Sequence, residues 1–249
     1  MSKIYYYIGI LLLVFACDSE DVSDCFQTSG SIVQQEVTVA SFERILVNRN
    51  VTLIIKEAPE YKVTIETGEN LMNDVKAEVI GNQLVLTDDN SCNYVREYGL
   101  TKIYVETPTL TEIKSSTQYE TTSEGVLNYE TLNLISEDFN QEGQFTMGDF
   151  RLQVNSEALN IESNNLSFYY ISGAVNDLYV GFYSGAGRFE GENLLAENVH
   201  IFHRGSNDMV VNPIQSLTGS LKGTGNLIAV NQPPIVDVER VYIGNLFFQ

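Results

Sequence analysis

The chain has 249 residues, of which 14 are Lys or Arg and 33 are Asp or Glu, for a net charge of -19. A surface this acidic repels phosphate backbones and anionic lipid headgroups, which excludes nucleic acid as a partner and argues against a basic membrane patch. The apolar fraction of 43%, with abundant Val, Ile, Thr, Tyr and Phe, is that of a folded, mostly β protein and not of a disordered acidic tail.

Residues 1–16 read as a secretory signal, with Lys3 followed by the apolar run Ile4 to Ala16 and then Cys17. As a helix that run rises about 20 Å, too short for a hydrocarbon core of about 30 Å. Val14-Phe15-Ala16-Cys17 is similar to a bacterial lipobox, which implies that Cys17 becomes the lipidated first residue and the link to a membrane; an ordinary signal with a chance cysteine is the alternative. Residues 17–30 form an acidic tether, Asp18-Ser19-Glu20-Asp21-Val22-Ser23-Asp24, with no apolar pattern to pack. Acidic residues directly after a lipid cysteine resemble the surface-export signals of Bacteroidetes lipoproteins. A plain solvated spacer is the other reading. Cys25 and Cys92 then remain. Two cysteines in an exported chain are more often bridged than free, and closing the loop between them would stabilise the fold by roughly 4 kcal/mol.

Residues 31–249 are expected to form one all-β head. Over 31–108, strand-like segments alternate with polar breaks: Val51-Thr52-Leu53-Ile54-Ile55, then Lys62-Val63-Thr64-Ile65-Glu66 with Val63 and Ile65 inward. Gly68 to Val75 holds the one helical turn expected here, and Gly81-Asn82 predicts a hairpin into Gln83-Leu84-Val85-Leu86. Ile103-Tyr104-Val105 adds a strand closed by Thr107-Pro108.

Several segments in order carry a family resemblance: Phe42-Glu43-Arg44-Ile45, Val51-Thr52-Leu53-Ile54-Ile55, Val63-Thr64-Ile65-Glu66-Thr67-Gly68, Cys92-Asn93-Tyr94, Ser184-Gly185-Ala186-Gly187 and Gly223-Thr224-Gly225-Asn226. The chain resembles the auto-transporter-adhesin head GIN-domain family of Bacteroidetes lipoproteins from about Asp24 to Phe248. The resemblance implies a right-handed parallel β-helix, or β-solenoid-like body, and an export address. Asn50-Val51-Thr52 stands where the family often has Gly-Ile-Asn.

Residues 109–230 read as repeat coils. Polar anchors at Ser116, Ser136, Ser156, Ser172, Ser184, Arg204 and Lys222 follow short apolar segments, as in a solenoid. Stacking would place Leu132, Leu152, Leu178 and Leu217 in one inward spine. Glu120, Asn140, Asn160, Asn176, Arg188, Asp208 and Asn226, four places after the anchors, would form a polar ladder. Pro233-Pro234 opens residues 231–249, expected to be a C-terminal cap.

Chemistry is harder to find. His200 and His203 are the only histidines, and three residues apart on a strand they face opposite sides, so no metal site is expected. Phe182 precedes Tyr183-Ser184-Gly185 where a nucleophile elbow needs Gly. No carboxylate pair stands out, and neither a catalytic residue nor a cofactor is assigned. Phe168-Tyr169-Tyr170, Tyr179 and Phe182-Tyr183 crowd the middle coils, and alternate rings must point outward, where they could stack on a glycan or a protein ligand. The expectation is a non-catalytic, lipid-anchored protein on the outer membrane with an adhesive head exposed at the cell surface. A periplasmic envelope scaffold, or a polysaccharide-active enzyme on the same fold, is the alternative.

Overall fold

The structure, a computed structural model, describes residues 25–90, 92–139 and 145–249. The signal over 1–16, Cys17 and the tether as far as residue 24 lie outside the described residues, as does Asn140. The fold is all-β, with a single 3-10 turn at Met72–Asp74 among the described residues. Among the described residues, seventeen strands join in one sheet that wraps round its own core, barrel-like and nearly closed.

The first part is built from β1 (Ile32–Val37), β2 (Arg44–Val47), β3 (Thr52–Glu57), β4 (Lys62–Gly68), β5 (Val75–Ile80), β6 (Gln83–Asp88) and β7 (Lys102–Thr107). These are short period-two strands whose inward residues, such as Val63, Ile65, Leu84 and Leu86, are buried. Gly81 takes a positive φ of 65° in the β5–β6 hairpin. β1 and β7 both pair with β4 in antiparallel fashion. β2 and β3 pair in parallel with β8 (Glu112–Ser115) and β9 (Thr121–Leu127), so the first part continues directly into the second. Between β2 and β3, Asn50 sits in the left-handed region at φ 69°, which Asn tolerates better than most residues. The Gln118 side chain fixes it, accepting from the Asn50 N–H at 3.1 Å and donating to Asn50 Oδ1 at 2.8 Å.

The second part adds β10 (Thr131–Ser136), β11 (Phe150–Ser163), β12 (Phe168–Phe182), β13 (Arg188–His203), β14 (Met209–Leu221), β15 (Leu227–Ala229), β16 (Ile235–Arg240) and β17 (Leu246–Phe248). All pairings here are parallel. β11 runs past a corner, so its first half pairs with β9 and its second half with β10. β14 likewise carries both β15 and β16. Turn backbones stack as well: Ala186 donates to Asn165, Ser206 to Gly185, Gly225 to Gly205 and Gly244 to Gly223.

The register corrects three expectations. Ser156 and Ser172 lie inside β11 and β12 and are not turns; the chain bends there without leaving the sheet, and the true turn of that layer is at Asn164–Ser167. Leu152 consequently faces Ile171, and the inward spine is Leu132, Leu159, Leu178, Val199 and Leu217, all buried. Each is worth about 2 kcal/mol of burial. The polar ladder is regrouped in the same way: Asn160 donates to Asn133, Asn176 to Glu157 and Asn226 to Asp208. Residues 235–248, after Pro233-Pro234, continue the same parallel pairing through β16 and β17.

A second inward column is aromatic. Phe150 stacks on Tyr169 at 4.9 Å, and Tyr169 tilts onto Phe182 at 5.8 Å. Burial drives the Tyr169 hydroxyl well above its usual range, so it stays neutral inside the head.

Candidate functional site

Parity of the strands fixes what faces outward. Beside the buried spine, the register puts Asn133, Asn160, Tyr179, His200, Thr218 and Asp237 in one outer row. Two residues further along each strand, Glu162, Gly181, Phe202, Ser220 and Glu239 form the next. In the middle layers these rows make an aromatic platform. The Tyr179 ring stacks on His200 at 5.8 Å and an interplanar angle of 15°. The Tyr179 and Tyr183 hydroxyls share a 2.9 Å hydrogen bond. Tyr183 packs against Phe202 at 5.2 Å and meets the edge of Phe139 at 5.8 Å. Lys222 Nζ stands 5.1 Å from the centre of the Phe202 ring, within cation–π reach.

Gly181 makes this arrangement possible. A Cβ there would lie 2.8 Å from the Tyr179 hydroxyl, so any side chain would push the ring off Tyr183. Packing among its neighbours raises the Tyr179 pKa, and the adjoining Tyr183 adds to the effect. The Tyr179 hydroxyl thus stays protonated and can both donate and accept. Beside the platform, His200, Thr218, Gly219, Ser220, Asp237 and Glu239 line a shallow hollow. His200 Nδ1 lies 2.9 Å from the Thr218 hydroxyl.

The sequence singled out Tyr179 and Tyr183, and the structure brings them together. It places Tyr169 and Phe182 in the core instead, and sets Tyr170 under Arg151, whose guanidinium carbon is 3.8 Å from the ring centre. His200, Phe202, Phe139 and Lys222 were missed as members of the platform. The signal for Phe202 was its outward parity one layer above Gly181, readable only once the register is known. His203 is buried; its Nε2 lies 2.8 Å from the Asn207 carbonyl, and burial lowers its pKa. Among the described residues no three His, Cys, Asp or Glu side chains cluster as a metal centre would require.

Cys25 and Cys92 are bridged, with an S–S distance of 2.08 Å and Cα atoms 4.4 Å apart. The Tyr94 N–H donates to the Cys25 carbonyl and Arg96 Nη1 to the Gln27 carbonyl, so the segment after Cys92 is laced to the one after Cys25. No helix among the described residues is long and apolar enough to cross a membrane.

The described residues thus form a wrapped all-β head with a laterally packed aromatic cluster on its outer face. The chain belongs to the family described as "putative auto-transporter adhesin, head GIN domain", whose model matches residues 41–233. In fold it is similar to a putative adhesin from Bacteroides fragilis, at 19% identity and a TM-score of 0.78 over 89% of this chain and 99% of that one. It is also similar to a putative lipid binding protein from Parabacteroides distasonis, at 16% identity and a TM-score of 0.62 over 88% and 97% of the two chains. A third similar structure is a putative adhesin from Parabacteroides merdae, at 15% identity and a TM-score of 0.59 over 88% and 97%. No curated protein matches the chain.

Proposed function

We propose that this protein is a non-catalytic, lipid-anchored component of the cell envelope, held to the outer membrane through Cys17 and exposing its head at the cell surface. The stacked layers act as a right-handed β-solenoid that presents a glycan or protein ligand with the platform of Tyr179, Tyr183, His200 and Phe202. The observation that carries this reading is the ring cluster itself. Four aromatic side chains lie outside the core and support one another laterally, at 5.2 to 5.8 Å between neighbouring rings. Rings held in this way lose little freedom on binding and present flat apolar area beside hydroxyl and imidazole groups. Family membership and the adhesin descriptions of the similar structures agree with a binding role.

Two experiments test it. Glycan arrays and host-protein screens with wild-type protein should yield a ligand whose affinity falls about tenfold or more in Tyr183→Ala and Phe202→Ala, with the melting temperature little changed. A ligand bound equally well by both variants would remove the platform from the argument. Protease treatment of intact cells should strip the head; protection until lysis would place it in the periplasm and leave a scaffold role.

A further inference from the structure

The two segments joined by the disulfide hold apolar side chains that the rest of the head leaves uncovered. Phe26 is 54% exposed, Tyr94 75%, Val95 53% and Tyr98 77%. The Phe26 and Tyr94 rings meet beside the Cys25–Cys92 bridge, 5.8 Å apart. Their backbone is held in place. Asn93 Oδ1 accepts from the Val95 and Arg96 N–H groups, the Tyr98 hydroxyl donates to the Asn93 carbonyl, and Arg96 Nη1 donates to the Gln27 carbonyl. Rings fixed in this way need little further ordering to make a contact. The patch is also electroneutral in a chain of net charge -19. Residues 25–31 contain no charged side chain, and residues 92–99 contain one Arg and one Glu.

From this geometry, and resting on the acylation of Cys17 proposed above, we infer that Phe26, Tyr94, Val95 and Tyr98 seat the head on the neutral interface of the bilayer that holds the anchor. Cys17 precedes Cys25 by eight residues, so even a fully extended tether reaches at most about 28 Å. The patch therefore meets lipid at high effective concentration, and a weak contact suffices to hold it. Tyrosine suits that depth, with an apolar ring for the acyl boundary and a hydroxyl for the headgroups. Recruitment by anionic headgroups takes a cluster of Lys or Arg, and the single Arg96 beside Glu97 is not one.

The chain contains no Trp, so single tryptophans can report position. The test uses the full lipidated chain in phosphatidylcholine vesicles brominated on the upper acyl carbons. Tyr94→Trp and Tyr98→Trp should be quenched about twofold or more, because seated rings lie about 5–10 Å into the interface. Tyr242→Trp should keep its emission. It follows β16, which lies eight strand spacings from β6, or about 38 Å along the stack. Adding Phe26→Ser and Tyr94→Ser to the Tyr98→Trp chain should remove most of the quenching and leave the melting temperature unchanged, since both side chains are exposed. Quenching that survives those changes would credit the tether alone and overturn the seat. So would equal quenching at Tyr242→Trp, or quenching that grows when phosphatidylglycerol is added. Wild-type chain that fails to float with the vesicles would sink the Cys17 anchor, and the seat with it. A chain that floats while both reporters stay unquenched would overturn the seat and leave the anchor standing.

Discussion

From β1 to β7 the strands are four to seven residues long and pair in both directions. From β11 to β14 they are 13 to 16 residues long, bend through corners and pair only in parallel with the layer before and the layer after. The first region is therefore cross-braced. Residues far apart in sequence meet there, as when the Thr117 hydroxyl donates to the Val51 carbonyl, or Thr67 and Thr101 share a buried hydrogen bond. In the second region each layer rests on its neighbours, so stability should pass from layer to layer as it does in repeat proteins. The first region carries an open concavity lined by Asp88, Asn90 and Thr101. Repetition belongs to the second, with its external platform.

The sharpest way to break this comparison is a matched pair of glycines. Gly219 has φ 126°, and a Cβ there would sit 1.9 Å from the Ile201 carbonyl oxygen; Gly81 has φ 65° with open space around it. Gly219→Ala should cost about 3 kcal/mol or more, because the neighbouring layer must move, and Gly81→Ala about 1 kcal/mol. Equal losses in chemical denaturation would mean that layer contact is not what distinguishes the two regions. Replacing both Cys25 and Cys92 with Ser comes next, at about 2–4 kcal/mol. Amide exchange should then accelerate in β1, β4 and β7 and stay slow in β12 and β13. Uniform acceleration would show the head to be one cooperative unit.

Buried titratable groups give a smaller and signed contrast. The pKa of His203, in the second region, is lowered by burial. Its contribution to stability is present above the ordinary value of about 6.5 and is lost as pH falls below that value towards the folded one. Asp88, in the first region, has a raised pKa, so its contribution is present below about 3.9 and is lost as pH rises through the folded value. Melting temperature followed from about pH 8 down to about pH 5 should decline in wild type and decline less in His203→Gln; parallel curves would remove His203 as the cause. The smallest effect belongs to Asn160→Ala, which removes one bond to Asn133 on the outer surface. It should cost about 1 kcal/mol or less by thermal unfolding.

The same contrast decides what could be read from the sequence. Val63, Ile65 and the Gly81-Asn82 hairpin were legible because short strands with tight turns keep their period and announce their ends. The long strands do neither. Ser156 and Ser172 look like turn residues, yet the chain bends at them while remaining paired, and the register slips between Tyr170 and Gly173 and again between Glu190 and Leu195. Leu152 leaves the spine because the first half of β11 pairs with β9 and only its second half meets β10, and the outward place of Phe202 is readable only once the register is known. The concavity of the first region was less legible still. Asp88 and Asn90 read as an ordinary polar loop until folding closes Thr101 and Leu71 over them.

The turn-to-turn hydrogen bonds that link Asn165, Gly185, Gly205 and Gly223 to the layers above them bear on how such a head can evolve. Copying one stretch of about 20 codons, the sequence distance from one stacked turn to the next, inserts a layer that meets the old surfaces on both sides in frame. Each duplication lengthens the outer face by one strand spacing, about 4.8 Å, and can repeat a ring of the platform without touching the concavity. The length of the outer face can thus change while the disulfide-bridged first part keeps its own packing.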